Sequence, residues 1–195
     1  MQTNLSTITL FADYSSRLQK ILVETDWTSV SQLAFDLQRC WRDGSRVFLC
    51  GNGGSAGNAI HLANDFLYGI AKQKSGGLKV LSLSANPAVI TCLANDVGYE
   101  FIFSEQLAVQ AQKGDLLIAL SGSGNSPNIV RVIEEAKRMG VKSYAILGFD
   151  GGKSKKLVDV AIHFSVNDMQ ISEDLQIIVG HMLMQWLYAN RLRYD

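Results

Sequence analysis

The apolar run Val47-Phe48-Leu49 passes directly into Cys50-Gly51-Asn52-Gly53-Gly54-Ser55, and a helical pattern of apolar residues follows. A strand that ends in a glycine-rich turn and re-enters a helix aims backbone N–H groups and the positive end of the helix dipole at one spot, which suits an anion. The plan recurs: Leu116-Leu117-Ile118-Ala119-Leu120 runs into Ser121-Gly122-Ser123-Gly124-Asn125-Ser126, then Pro127 and a second helical pattern. Two strand–loop–helix units of this kind constrain the chain to an α/β fold. Together they predict a site for a phosphorylated, polyhydroxylated ligand.

The remainder of the chain continues the alternation. Strands are expected at 47–50, 79–83, 116–120, 143–147 and 160–164, and helices at 56–68, 87–93, 100–109, 127–139 and 172–191. Strands that are apolar nearly throughout belong to a parallel sheet covered on both faces. Before them, Leu18, Ile21, Leu22, Val30, Leu33, Ala34 and Leu37 stand at helical spacing, with Asp26 and Thr28 able to cap the second of two helices. The expected organisation is one domain over 1–195, with a helical segment at 1–44 and an α/β core at 45–195.

Composition narrows the function. Apolar residues make up 47% and charged residues 18%, which leaves apolar surface to bury between subunits. The formal charge is zero and no basic run occurs, so nucleic acid is not an expected direct ligand. Cys40, Cys50 and Cys92 are odd in number and lack CxxC spacing, as expected of free thiols in a reducing cytoplasm. Met1-Gln2-Thr3-Asn4 carries neither the basic start nor the apolar core of a signal peptide, and no uncharged apolar stretch reaches membrane-spanning length. A soluble cytoplasmic protein is expected.

In an open parallel sheet ligands bind beyond the carboxyl ends of the strands, so both loops should share one rim. The hydroxyls of Ser121, Ser123 and Ser126 can donate to phosphate oxygens alongside backbone N–H groups. Neither loop holds an arginine or lysine, which argues against a nucleoside triphosphate; the lysine of the P-loop and the spacing of a dinucleotide fingerprint are both missing.

Taken together these segments resemble the sugar-isomerase (SIS) domain proteins, and among them the phosphoheptose isomerases. The residues that carry the resemblance are Cys50 through Ser55 with His61, Ala94-Asn95-Asp96-Val97-Gly98-Tyr99-Glu100, Ser121 through Ser126, Asp150-Gly151-Gly152-Lys153, and Gly180-His181. The resemblance implies a three-layer αβα sandwich on a five-stranded parallel sheet, assembled as a homotetramer with active sites at subunit interfaces. It implies substrate contacts from Asn52, Gly53, Gly54, Asn95 and Asp96, a phosphate held by Ser121, Gly122, Ser123 and Ser126 with Ser55 nearby, and conversion of sedoheptulose 7-phosphate to an aldoheptose 7-phosphate of bacterial surface polysaccharide. Several members bind zinc through a histidine and a glutamate after the first loop and a glutamine and a histidine on the last helix. In this chain those positions hold His61, Asp65, Glu173 and His181, when the last helix is aligned on Gly180-His181 with one residue fewer in the preceding loop. Alignment on Gln176 instead would put Met184 where the histidine belongs.

Aldose–ketose interconversion needs a base to move a proton between adjacent carbons and an acid at the carbonyl oxygen. Asp65 is the expected base and His181 the acid, with Glu173 the rival base. His61 and Asp65, four apart, share a helical face and can bind one metal. Glu173 and His181 are eight apart, about 12 Å along an ideal helix. They can serve one metal only if the helix starts irregularly or a neighbouring subunit supplies one of them. His163 falls in a strand run and reads as structural, and Met182, Met184, Trp186 and Leu187 as core or interface. Other functions remain open: a non-catalytic phosphosugar sensor, a partner of the bacterial replication initiator, or a reaction on an amino-sugar phosphate.

Overall fold

A computed structural model of the chain describes residues 2–72 and 76–191. Helices α1 (Gln2–Glu24) and α2 (Thr28–Asp43) lead into β1 (Arg46–Gly51), α3 (Gly54–Asn64), β2 (Lys79–Ser82), α4 (Pro87–Asp96), α5 (Ser104–Gln110), β3 (Leu116–Ser121), α6 (Pro127–Met139), β4 (Lys142–Leu147), α7 (Ser154–Leu157), β5 (Val160–His163) and α8 (Met169–Ala189). The five strands pair in parallel in the order β2-β1-β3-β4-β5. The chain leaves β1 toward β2 on one side and returns to β3 on the other. The carboxyl ends of β1 and β3 therefore flank the topological switch point, where open α/β sheets place their ligands.

Strand side chains alternate between two cores. Val47, Leu49, Leu116, Ile118, Leu120 and Ile146 pack with α2, α3 and α8, while Phe48, Cys50, Leu117, Ala119 and Leu147 pack with α5 and α6. Burial on both faces explains why the strands read as continuous apolar runs rather than alternating ones. Among polar ties between layers, Asp36 of α2 accepts hydrogen bonds from Tyr144 at 2.5 Å and pairs with Lys142 at 2.6 Å. Burial works against its charge, but these donors outweigh burial and hold the Asp36 carboxyl below the usual carboxylate range.

Several helix boundaries differ from expectation, α4 among them, which runs to Asp96 rather than 93. The helix expected over 56–68 ends at Asn64 and continues as a single π-turn, Asp65–Gly69, closed by the Ile70 N–H on the Asp65 carbonyl at 3.1 Å. The Phe66 carbonyl, which an α-helix would offer to Ile70, accepts instead from the Leu78 N–H at 3.0 Å. The helix expected at 100–109 starts only at Ser104, after a 3-10 turn at Tyr99–Phe101, because Ile102 and Phe103 are both buried at the bend. The last helix starts at Met169, capped by Asp168, whose Oδ1 accepts from the Ile171 N–H at 3.1 Å. At the start of α2, Trp27 is the cap residue, and Asp26 instead accepts from the Thr28 N–H and hydroxyl at 3.0 and 2.6 Å.

Candidate active site

A cleft of about 270 Å³ opens where the two loops meet, lined by Asn52, Gly53 and Ser55 after β1 and by Ser121, Gly122, Ser123 and Ser126 after β3, with Met169 and Glu173 of α8 as the third wall. Gly54, at the first turn of α3, faces that wall. A Cβ there would lie 2.3 Å from Glu173 Oε2, so only glycine allows the carboxylate to stand over the loop. Glu173 is half-buried, and its carboxylate makes no hydrogen bond or ion pair with any described residue.

The loops are held from beneath. The Ser84 hydroxyl donates to the Gly51 carbonyl at 2.9 Å, and Ser121 Oγ accepts the Gly124 N–H at 3.1 Å. Ser55, 4% exposed, accepts from Gln176 Nε2 at 3.0 Å, and Gln176 Oε1 accepts from Asn58 at 3.0 Å. Gln176 is thus a buried tie beneath the first loop and does not reach toward the histidines. Between the loops, Asn52 and Asn128 exchange two amide hydrogen bonds of 2.8 and 2.9 Å, and the Tyr99 hydroxyl donates to Asn52 Oδ1 at 3.1 Å. The sequence alone does not single out Asn128, and it marks Tyr99 only as part of the motif that carries the resemblance. Asn128 left a signal, because it stands four residues before Val132 on the buried stripe of α6, where an apolar residue is expected.

Farther along the same two helices, His61 of α3 and His181 of α8 face each other with their Nε2 atoms 2.9 Å apart, and Asp65 Oδ2 lies 3.4 and 3.5 Å from them. Gly180 makes this meeting possible, since a Cβ there would lie 2.1 Å from Leu62 Cδ2 and force α3 away from α8. The three donor atoms lie within 4.8 Å of one another. Two imidazole nitrogens and one carboxylate oxygen at this spacing fit a zinc ion, whose bonds to such ligands are about 2.0–2.2 Å. The side chains of His61 and His181 are 48% and 43% exposed, and that of Asp65 15%.

The four-residue ligand set suggested by the sequence does not form within one protomer. Glu173 stands in the first turns of a regular α8, eight residues from His181, so it enters the cleft and not the histidine cluster. Nor do Asn95 and Asp96 line the cleft. They end α4, which has no buried residue, and Asn95 Nδ2 donates to Asp96 Oδ1 at 2.8 Å. His163 is occupied structurally, its two ring nitrogens 3.0 Å from Lys155 Nζ and from the Phe149 carbonyl.

Residues 10–148 match the SIS domain family. A phosphoheptose isomerase of Nitratiruptor sp. is 41% identical over 138 residues, which cover 71% of this chain and 73% of that one. A phosphoheptose isomerase of Chlorobaculum parvum is 34% identical over 176 residues, covering 88% and 83%. The solved structure of phosphoheptose isomerase GmhA from Neisseria gonorrhoeae superposes with a TM-score of 0.81 at 25% identity, over 96% of this chain and 98% of that one.

Proposed function

The chain belongs to the SIS domain family, and within it we propose an aldose–ketose isomerase that converts sedoheptulose 7-phosphate to an aldoheptose 7-phosphate, the D-glycero-D-manno epimer. The observation that carries the reading is an unpartnered carboxylate, Glu173, set over a serine- and glycine-lined anion cleft at the switch point of the sheet. A binding protein needs the cleft but not the carboxylate, which repels the ligand it would hold.

The phosphate sits against Ser121, Gly122, Ser123 and Ser126, where hydroxyls and loop N–H groups donate to it without a cationic side chain. Glu173 takes a proton from C1 of the heptulose and returns it to C2, and the proton of the C1 hydroxyl passes to the C2 oxygen. The base role goes to Glu173 rather than Asp65, because Asp65 lies against both imidazoles while Glu173 is free. His181 and His61 serve the oxygen side of the reaction, with Asp65 orienting the pair. His61, Asp65 and His181 would hold zinc, which when bound supplies a Lewis acid for the carbonyl oxygen.

Cleft and cluster complete each other across subunits. Ile60, Leu67 and Tyr68, on the same segment as His61 and Asp65, are large apolar side chains left exposed, as expected of surface covered by another copy. A homotetramer in which one protomer's cluster meets its neighbour's cleft fits this exposed apolar surface. No described helix is long and apolar enough to cross a membrane. The three free cysteines fit a cytoplasmic enzyme of heptose supply for surface polysaccharide.

Proton NMR of sedoheptulose 7-phosphate in D2O with the purified protein, with and without zinc, tests the reading. New aldoheptose anomeric signals, lost in Glu173→Gln and His181→Ala, are expected. An unchanged spectrum together with thermal stabilisation by the sugar would replace the enzyme with a phosphosugar-binding regulator.

A further inference from the structure

Helix α1 is exposed along most of its length and meets the body of the protein through a stripe of Tyr14, Leu18, Ile21 and Leu22. Two polar contacts carry that stripe to the first turns of α8. The Tyr14 hydroxyl donates to Asp174 Oδ2 at 2.5 Å, and Arg17 Nη1 donates to Asp168 Oδ2 at 2.7 Å. Asp13, one turn earlier, accepts from Arg17 Nε at 2.9 Å and orients the guanidinium. Asp168 thereby divides its carboxylate, with Oδ1 capping α8 through the Ile171 N–H and Oδ2 reaching α1.

The turns held in this way form one wall of the cleft. Met169 presses on Gly122, Ser172 on Gly148 and Glu173 on Gly54, so closely that a Cβ at these glycines would lie 2.6, 2.1 and 2.3 Å from the opposing side chains. Farther in, Ile171, Leu175 and Val179 are fully buried in the core that α8 shares with α2, α3 and the sheet. That apolar stripe fixes the depth of the helix. Rotation of the polar edge that carries Asp168, Glu173 and Asp174 is restrained from outside, at both ends of the segment, by Arg17 and Tyr14.

We propose that Tyr14 and Arg17 are positioning residues of the active site, latching the first turns of α8 and so setting where the Glu173 carboxylate stands over the phosphate cleft. The inference rests on the isomerase reading with Glu173 as base. Burial first, and then the bond to Asp174, push the Tyr14 hydroxyl up to about 12, so it stays a donor throughout the working pH range. The contacts lie at the surface, where hydrogen-bonded ion pairs add little to stability, yet a shift of about 1 Å in a reacting group can cost roughly a hundredfold in rate. The latch should therefore show in turnover and hardly in melting.

The test is a cycle on the full-length protein: Tyr14→Phe with Arg17→Gln, Glu173→Gln, and all three together, with Arg17→Lys as the conservative variant. The latch pair is expected to lower kcat for sedoheptulose 7-phosphate about tenfold or more, with KM and inhibition by inorganic phosphate within about twofold. In the Glu173→Gln background the same pair should cost nothing further, because its effect passes through that carboxylate. Arg17→Lys should recover part of the loss. Amide exchange at residues 171–174 should speed up about tenfold in the latch pair, a readout that needs no turnover. Additive losses in the cycle, or unchanged exchange at these amides, would overturn the latch. If the wild-type protein turns over no sugar, the isomerase reading fails and this inference falls with it, whereas an active wild type with an indifferent latch pair sinks the inference alone.

Discussion

The cleft and the histidine cluster share α3 and α8, but the cleft is built from loops at the rim of the sheet and the cluster from half-exposed side chains. The cleft is made of backbone. Its loops come off adjacent strands, its small residues are tied from below by Ser84, Gln176 and the Asn52–Asn128 pair, and Glu173 enters only because Gly54 has no side chain. The cluster depends on three side chains from α3, the π-turn and α8, and nearly half of each imidazole surface is open. A phosphate can be held by elements that one chain completes alone. Within one chain His181 stands about 12 Å along α8 from Glu173, too far for both to act on adjacent carbons, so in the proposed site a second copy supplies the histidines.

The difference can be broken from either side. Glu173→Gln keeps the shape of the cleft and removes the proposed base, so kcat should fall about 10²- to 10⁴-fold in a coupled or NMR assay while phosphate inhibition persists. Gly54→Ala should act on the same carboxylate by displacing it, with a loss of roughly a hundredfold in turnover and little change in melting, because the far end of a glutamate can swing aside. His61→Ala or His181→Ala should weaken zinc binding at least about tenfold by competition with a chelating dye, and leave phosphate affinity in place. Gly180→Ala should destabilise the fold by about 1–3 kcal/mol in urea titration, since Leu62 must move, and should loosen zinc more than phosphate.

The smallest effect lies outside both regions. Asp36 has its carboxyl pKa depressed in the folded protein, so its ionised form stabilises above the ordinary aspartate range, near pH 3.9, and that share is lost as pH falls below it. The melting difference between wild type and Asp36→Asn should be full at neutral pH and close in acid. A difference that widened in acid would have the wrong sign.

The repeated strand–loop–helix plan made the fold legible, since apolar runs buried on both faces and Pro127 at the head of α6 are local signals. All five strands fall within a residue of their expected ends. The cleft was legible for the same reason, its loop residues being contiguous. The cluster was legible in part: four-residue spacing joins His61 to Asp65, and the resemblance supplies His181. What the sequence hid depends on partners distant in the chain. The π-turn exists because Leu78 takes the Phe66 carbonyl, Asn128 pairs with a residue on another element, and Glu173 is divided from the histidines by the regularity of α8.

Subunit mixing tests the central claim most directly. Glu173→Gln protomers keep an intact cluster, and His181→Ala protomers keep an intact cleft. Coexpressed, they should recover roughly a quarter of wild-type turnover, because a site that draws each half from a different chain is intact by chance in one case of four. Turnover no higher than that of the two variants alone would mean that cleft and cluster act within one protomer, and would contradict the shared site.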